Sequence, residues 1–217
     1  MSGITFDYNE EYIRGLIYEE SDILREIEEF AHKNRVPIVQ KETARFLELM
    51  LTIKRPLNIL ELGTAIGYSA ILMSMYSSKN SKITTIERDI SMIEEAKKNI
   101  KKYNLQNRIE IKQGDCLEVL KELKDNEYDF IFMDAGKGHY NHFLPECLRL
   151  MNKDAVIVAD NVLFRGMVAN NELVKRRKIT IVKRMRNYLD MVSRNKELIT
   201  SVVPMGDGIA ITTRRKY

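Results

Sequence analysis

Asp134, Lys137, Asp160 and Asn161 are the residues whose types and spacing could do chemistry in this chain. Asp134 closes the apolar run Tyr128–Asp134 (YDFIFMD), and Asp160–Asn161 closes Ala155–Ala159 (AVIVA). Two such runs predict central parallel strands, buried on both faces. In a parallel sheet their ends lie close together. Two carboxylates and an amide oxygen on one edge make a hard-oxygen cation site, suited to Mg2+ or Ca2+. An Asp at a strand end also commonly caps the next loop or helix, but here three oxygen side chains converge. Lys137 follows Asp134 by three residues in the string DAGKGHY. Near a cation, in a partly dry pocket, its neutral form is favoured, and it could take a proton from a substrate hydroxyl. His139 and His142 are alternative bases.

These residues need a scaffold and a co-substrate, and the stretch Asn58–Ser69 (NILELGTAIGYS) supplies both. A short apolar run containing Glu61 is closed by Gly63, Gly67 follows, and Tyr68–Tyr76 (YSAILMSMY) reads as a buried helix. The pattern is a strand, a tight glycine loop and a helix start. Gly63 and Gly67 let the backbone bend sharply and approach a ligand, and the helix-start amides offer donors. The full G-x-G-x-x-G fingerprint is absent. About 20 residues on, the strand Lys82–Glu87 (KITTIE) ends on Glu87, where a ribose-binding carboxylate belongs. A third strand, Arg108–Gln113, leads into Gly114 and Asp115. Ligands bind at such strand ends, so a nucleoside-bearing cofactor is expected.

The 217 residues suit one domain or a domain with an appendage. No stretch approaches the ~20 apolar residues of a membrane span, and MSGITFDYNEEY lacks the pattern of a secretory signal. Cys116 and Cys147 lack metal spacing and suggest free thiols in a reducing cytoplasm. Before the first strand, helices are expected over about Glu10–Glu19, Asp22–Asn34 and Lys41–Ile53, with Tyr12, Leu16, Leu24 and Ile27 on an apolar stripe. Strands then alternate with helices at about Tyr68–Ser77, Ile90–Tyr103, Cys116–Leu123 and Tyr140–Met151, which implies a parallel sheet. A helix over Ile179–Asn195, inward through Ile181, Met185, Tyr188 and Val192, precedes an antiparallel hairpin of Glu197–Val203 and Ile209–Thr213.

The E-L-G-x-x-x-G pattern with a strand-terminal acid resembles the class I S-adenosylmethionine methyltransferases. ELGTAIGYS, DAGKGHY, VADNVLFRG and the terminal VPMGDGIAI together resemble their cation-dependent O-methyltransferases of the catechol and caffeoyl-coenzyme A type. The resemblance implies a Rossmann-like α/β fold: a mostly parallel seven-stranded sheet with a C-terminal antiparallel hairpin, helices on both faces, an N-terminal helical extension over residues 1–55 and the methyltransferase domain over 56–217. It implies that Asp134, Asp160 and Asn161 hold Mg2+ or another divalent cation, that Lys137 is catalytic, and that Glu87 binds the cofactor ribose. Val39, Glu61, Gly63, Gly67, Ser69, Asp115, Cys116 and Asp134 fall at S-adenosylmethionine-binding positions. Relatives of this kind are commonly homodimers, with the helical prefix as the expected surface.

Within that group, NVLFRG and a basic helix resemble the bacterial branch that methylates tRNA at 5-hydroxyuridine in the wobble position. The net charge is +4, yet Lys175–Arg186 (KRRKITIVKRMR) alone holds seven basic residues and no acid, leaving −3 elsewhere. Such local patches are the footprint of polyanion binding. On a tRNA acceptor, Lys175, Arg176, Arg177, Lys178, Lys183, Arg184 and Arg186 would contact phosphates and Phe164 would stack on the target base. A small catechol-like or phenolic acceptor is the alternative and would not need the patch. A non-catalytic S-adenosylmethionine-binding regulator is the third reading, opposed by the intact Asp134, Lys137, Asp160 and Asn161 set.

Overall fold

A computed structural model describes residues 4–18 and 21–216. The N-terminal segment forms α1 (Asp7–Gly15), α2 (Asp22–Asn34) and α3 (Lys41–Lys54). The Ser21 hydroxyl caps α2 by accepting the Leu24 N–H at 3.2 Å. Pro37 interrupts the helices, as expected. The end expected for the first helix, Glu19, lies outside the described residues. On α1, Tyr12 and Leu16 are 70% and 67% exposed, and Arg14 ties the helix to α3 by pairing with Glu42 at 2.9 Å. Leu24 and Ile27 on α2 are buried.

Strand and helix then alternate as β1 (Asn58–Leu62), α4 (Tyr68–Tyr76), β2 (Lys82–Glu87), α5 (Ile90–Lys102), β3 (Ile109–Gln113), α6 (Cys116–Glu122), β4 (Tyr128–Met133), α7 (Tyr140–Leu150) and β5 (Met151–Ala159). α8 (Ile179–Arg194), β6 (Leu198–Val203) and β7 (Ile209–Arg214) complete the chain. The strand order is β3-β2-β1-β4-β5-β7-β6. β1 to β5 are parallel; β7 runs antiparallel to β5 and β6 antiparallel to β7. This is the expected mixed sheet with a terminal hairpin.

Alternation along the central strands loads both faces of the sheet. In β4, Phe130 and Phe132 pack with Leu47, Leu51, Ile71 and Leu72 on one side. Ile131 and Met133 pack with Tyr140, Leu144, Met185 and Tyr188 on the other. α8 turns Val182, Met185, Tyr188 and Val192 inward, with Ile181 only half-buried. β5 begins at Met151, four residues before the expected Ala155, because polar Asn152–Asp154 hides its start. Among the described residues no helix is long and apolar enough to cross a membrane.

The strand order changes direction between β1 and β4, the place where an open α/β sheet opens a crevice. The Asp134 N–H donates to Leu62 O at 2.9 Å and the Asp160 N–H to Met133 O at 3.0 Å. The carboxyl ends of β1, β4 and β5 are thereby tied side by side.

Candidate active site

The crevice opens into a cavity of about 1070 Å³. Its first wall is the loop after β1. Gly63 has φ +99°, and a Cβ there would meet Asp134 O at 2.9 Å, so only glycine lets β1 and β4 end this close together. Gly67 (φ +85°) starts α4, and its Cβ would meet Ala96 of α5 at 3.4 Å. Gly67 therefore serves the turn and the helix packing, and it does not border the cavity; Gly63 does.

Glu87, at the end of β2, faces the cavity with its carboxylate already oriented. Ala65 donates its N–H to Oε2 at 3.0 Å, and Arg88 and Asp89 donate theirs to Oε1 at 2.9 and 3.0 Å. Asp115 and Cys116, at the start of α6, border the cavity too, as do Val39 and Ser69. Asp115 caps α6 through the Leu117 N–H at 3.0 Å. Burial pushes the Cys116 thiol up to about 12, so it stays protonated and inert near neutrality.

Glu61 sits beneath this wall without bordering the cavity. It is fully buried in β1 and accepts from the Thr85 hydroxyl at 2.5 Å, which in turn meets Thr64 at 2.6 Å. Its Oε1 has no hydrogen-bond partner among the described residues. The nearby Ser69 hydroxyl favours the charged form, but burial outweighs it and raises the acid to about 7.

Asp134, Lys137, Asp160 and Asn161 all border the cavity. Asp160 is 2% exposed, and its Oδ1 accepts the Asn161 N–H at 2.6 Å. Burial raises both acids; the charge of Asp134 raises Asp160 further, while Lys137 partly offsets the rise in each. Two half-compensated carboxylates beside an amide oxygen suit a hard divalent cation. Among the described residues no three His, Cys, Asp or Glu side chains gather as a metal site; the candidate set needs the Asn161 amide. Tyr140, which sequence reasoning left unassigned, fastens the two strand ends. Its buried hydroxyl lies 2.8 Å from Met133 O and 3.1 Å from Asp160 O.

Lys137 begins a 3-10 turn, and its Nζ lies 3.9 Å from Asp207 Oδ2 and 5.7 Å from the centre of the Phe164 ring. Lys178 Nζ approaches the same ring at 5.7 Å. His139 borders the cavity and stacks on Phe143; His142 is exposed and does not border it.

The basic window divides. Lys175, Arg177 and Lys178 border the cavity with Phe164; Arg176 and Lys183 are exposed and do not. Arg184 donates to Gly138 O at 3.1 Å, holding the turn that carries Lys137. Arg186 donates to Val168 O at 2.9 Å and Met167 O at 3.2 Å, holding the loop after Phe164.

A family model described as "O-methyltransferase" matches residues 16–216. A catechol O-methyltransferase from Niastella koreensis is 30% identical over 210 residues, covering 94% of this chain and 93% of its own. A caffeoyl-CoA O-methyltransferase from Populus kitakamiensis is 26% identical over 220 residues, covering 94% of each. An O-methyltransferase from Bacillus cereus, solved in complex with SAH, superposes with a TM-score of 0.84 at 25% identity, covering 96% of this chain and 97% of that one.

Proposed function

The chain belongs to the O-methyltransferase family and is an S-adenosylmethionine-dependent enzyme of it; we propose that it methylates the hydroxyl of 5-hydroxyuridine at the tRNA wobble position, giving 5-methoxyuridine, with Mg2+. The observation that carries this reading is a basic, aromatic-bearing rim on the same cavity as the paired carboxylates. Lys175, Arg177 and Lys178 would hold backbone phosphates. Phe164 would stack on the target base. The proposed acceptor has two neighbouring oxygens, its 5-hydroxyl and 4-carbonyl.

When bound, S-adenosylmethionine supplies an electrophilic methyl group, and the divalent cation supplies positive charge for the developing acceptor oxyanion. Asp134, Asp160 and Asn161 would hold the cation. Glu87 would accept from the ribose hydroxyls, its carboxylate fixed beforehand by three backbone N–H groups. Val39, Ser69, Asp115 and Cys116 would line the cofactor, with Gly63 at its methionine end and Glu61 as the carboxylate below. Lys137 would take the acceptor proton on Nζ. Holding both partners at attack distance is itself worth on the order of 7–11 kcal/mol in well-oriented cases. The same reading makes the protein a cytoplasmic homodimer, joined through the N-terminal helices.

A small catechol-like acceptor is the second reading, favoured by the names of the Niastella and Populus relatives. Nucleoside mass spectrometry of tRNA from a deletion strain separates the two. Accumulated 5-hydroxyuridine with 5-methoxyuridine missing supports the tRNA acceptor. An unchanged profile, with methyl transfer to catechol by the purified enzyme, overturns it.

A further inference from the structure

The terminal turn between β6 and β7 reads in sequence as turn chemistry alone, PMGDG. In three dimensions it is a wall of the site. Asp207 is 7% exposed and borders the cavity. The turn takes three N–H groups of the loop after β5. Gly208 O accepts from Val162 at 2.9 Å, Asp207 O accepts from Leu163 at 3.0 Å, and the Asp207 carboxylate accepts from Arg165. Its other oxygen faces Lys137 Nζ at 3.9 Å.

The loop needs such support. Asn161, Phe164 and Arg165 have φ of 59°, 46° and 55°, left-handed values uncommon for non-glycine residues and strained for a bulky one. The turn itself has little room to move. A Cβ on Gly208 would meet Leu163 at 2.4 Å, and one on Gly206 would meet Thr43 Oγ1 at 3.2 Å. The buried carboxylate is therefore braced from behind and faces both Lys137 Nζ and the loop that carries Phe164.

We propose that Asp207 is a positioning residue for methyl transfer, setting the position of Lys137 Nζ and the conformation of the 161–166 loop with one carboxylate. This rests on the reading of Lys137 as the group that receives the acceptor proton. Lys137 approaches Asp207 on one side and the Phe164 ring on another, and the Arg165 bond places Phe164. Lys137 and the ring thus keep a fixed relation to each other through Asp207.

Steady-state kinetics on the full chain test this, with 5-hydroxyuridine-bearing tRNA or catechol as acceptor, whichever the wild type methylates. Asp207→Asn keeps an oxygen for the Arg165 N–H and removes the charge facing Lys137. Its kcat should fall on the order of 10²-fold, the size of effect that a small misplacement produces, with acceptor KM and cofactor Kd unchanged. Asp207→Ala removes both the charge and the oxygen, so acceptor KM should rise as well. In a Lys137→Ala background, Asp207→Asn should cause no further loss, since residues acting as a unit are not additive. Wild-type kcat in Asp207→Asn, or an equal loss in both backgrounds, overturns the inference while Lys137 keeps its role. Undiminished turnover in Lys137→Ala overturns the reading of Lys137 first, and the inference with it. Asp207→Asn carries the test if Asp207→Ala does not fold.

Discussion

The Ala65 N–H donates to Glu87 Oε2 at 3.0 Å, which fastens the glycine loop after β1 to the end of β2. Two more N–H groups, from Arg88 and Asp89, take the other carboxylate oxygen. The carboxylate is thus held in place before any ligand arrives, at the border of the cavity. Glu87→Ala should weaken S-adenosylhomocysteine binding roughly 10- to 100-fold, as expected when a hydrogen bond to a charged group worth about 1.5–3 kcal/mol is lost. Calorimetric titration measures this, and unchanged affinity would remove Glu87 from the cofactor site.

Much of this geometry is legible in sequence because it follows from strand ends. β1 and β2 run over the residues that their apolar patterns predict, and an acid that terminates a central parallel strand has nowhere to point but the crevice edge. Helical spacing is less informative. It finds α8 but misplaces its inward face at Ile181, where Val182 is buried. It puts Tyr12 and Leu16 on one apolar stripe of α1, yet it does not show that both are exposed and that Arg14 ties the helix to α3 through Glu42. Charge patterning treats the basic window as one patch. Arg184 and Arg186 use their guanidinium groups on backbone carbonyls instead, a role set by long-range packing that no local pattern carries. Asp207 is hidden for the same reason: a turn acid gives no sign that another loop will bury it.

The cation site predicts a response that activity alone need not report. Added Mg2+ should raise the melting temperature of the wild type, because a ligand that binds only the folded state stabilises it. Asp160→Ala should abolish that rise and make turnover insensitive to a chelator. Lowering the pH should weaken the wild-type response, since burial raises both Asp134 and Asp160 and each must be deprotonated to hold the ion. A chelator-insensitive wild type would reject the site.

The rim predicts a salt dependence. If the acceptor is tRNA, replacing Lys175, Arg177 and Lys178 together by Ala should weaken binding and flatten the plot of log affinity against log salt. The slope should fall by roughly 0.7–1 for each phosphate that is no longer neutralised. Filter binding of tRNA across a salt series measures it. A slope that does not change would exclude these residues from phosphate binding, and methylation of a small acceptor should be nearly indifferent to moderate salt.

Glu61 predicts a pH-dependent stability of the ligand-free protein. Burial lifts its carboxyl from 4.5 to about 7 in the folded state, so the folded protein holds the proton more tightly than the unfolded chain. The corresponding stability is fully present below the unfolded value and is lost as the pH rises through about 7. At about 1.36 kcal/mol per pKa unit the loss is on the order of 3 kcal/mol. Glu61→Gln keeps the shape and an oxygen for Thr85 but has no proton to lose. Relative to wild type, its stability should therefore grow by about that amount between pH 5 and pH 8. Urea unfolding of both proteins across this range measures the difference, and parallel pH profiles would show that the buried acid at the foot of the glycine loop does not titrate there.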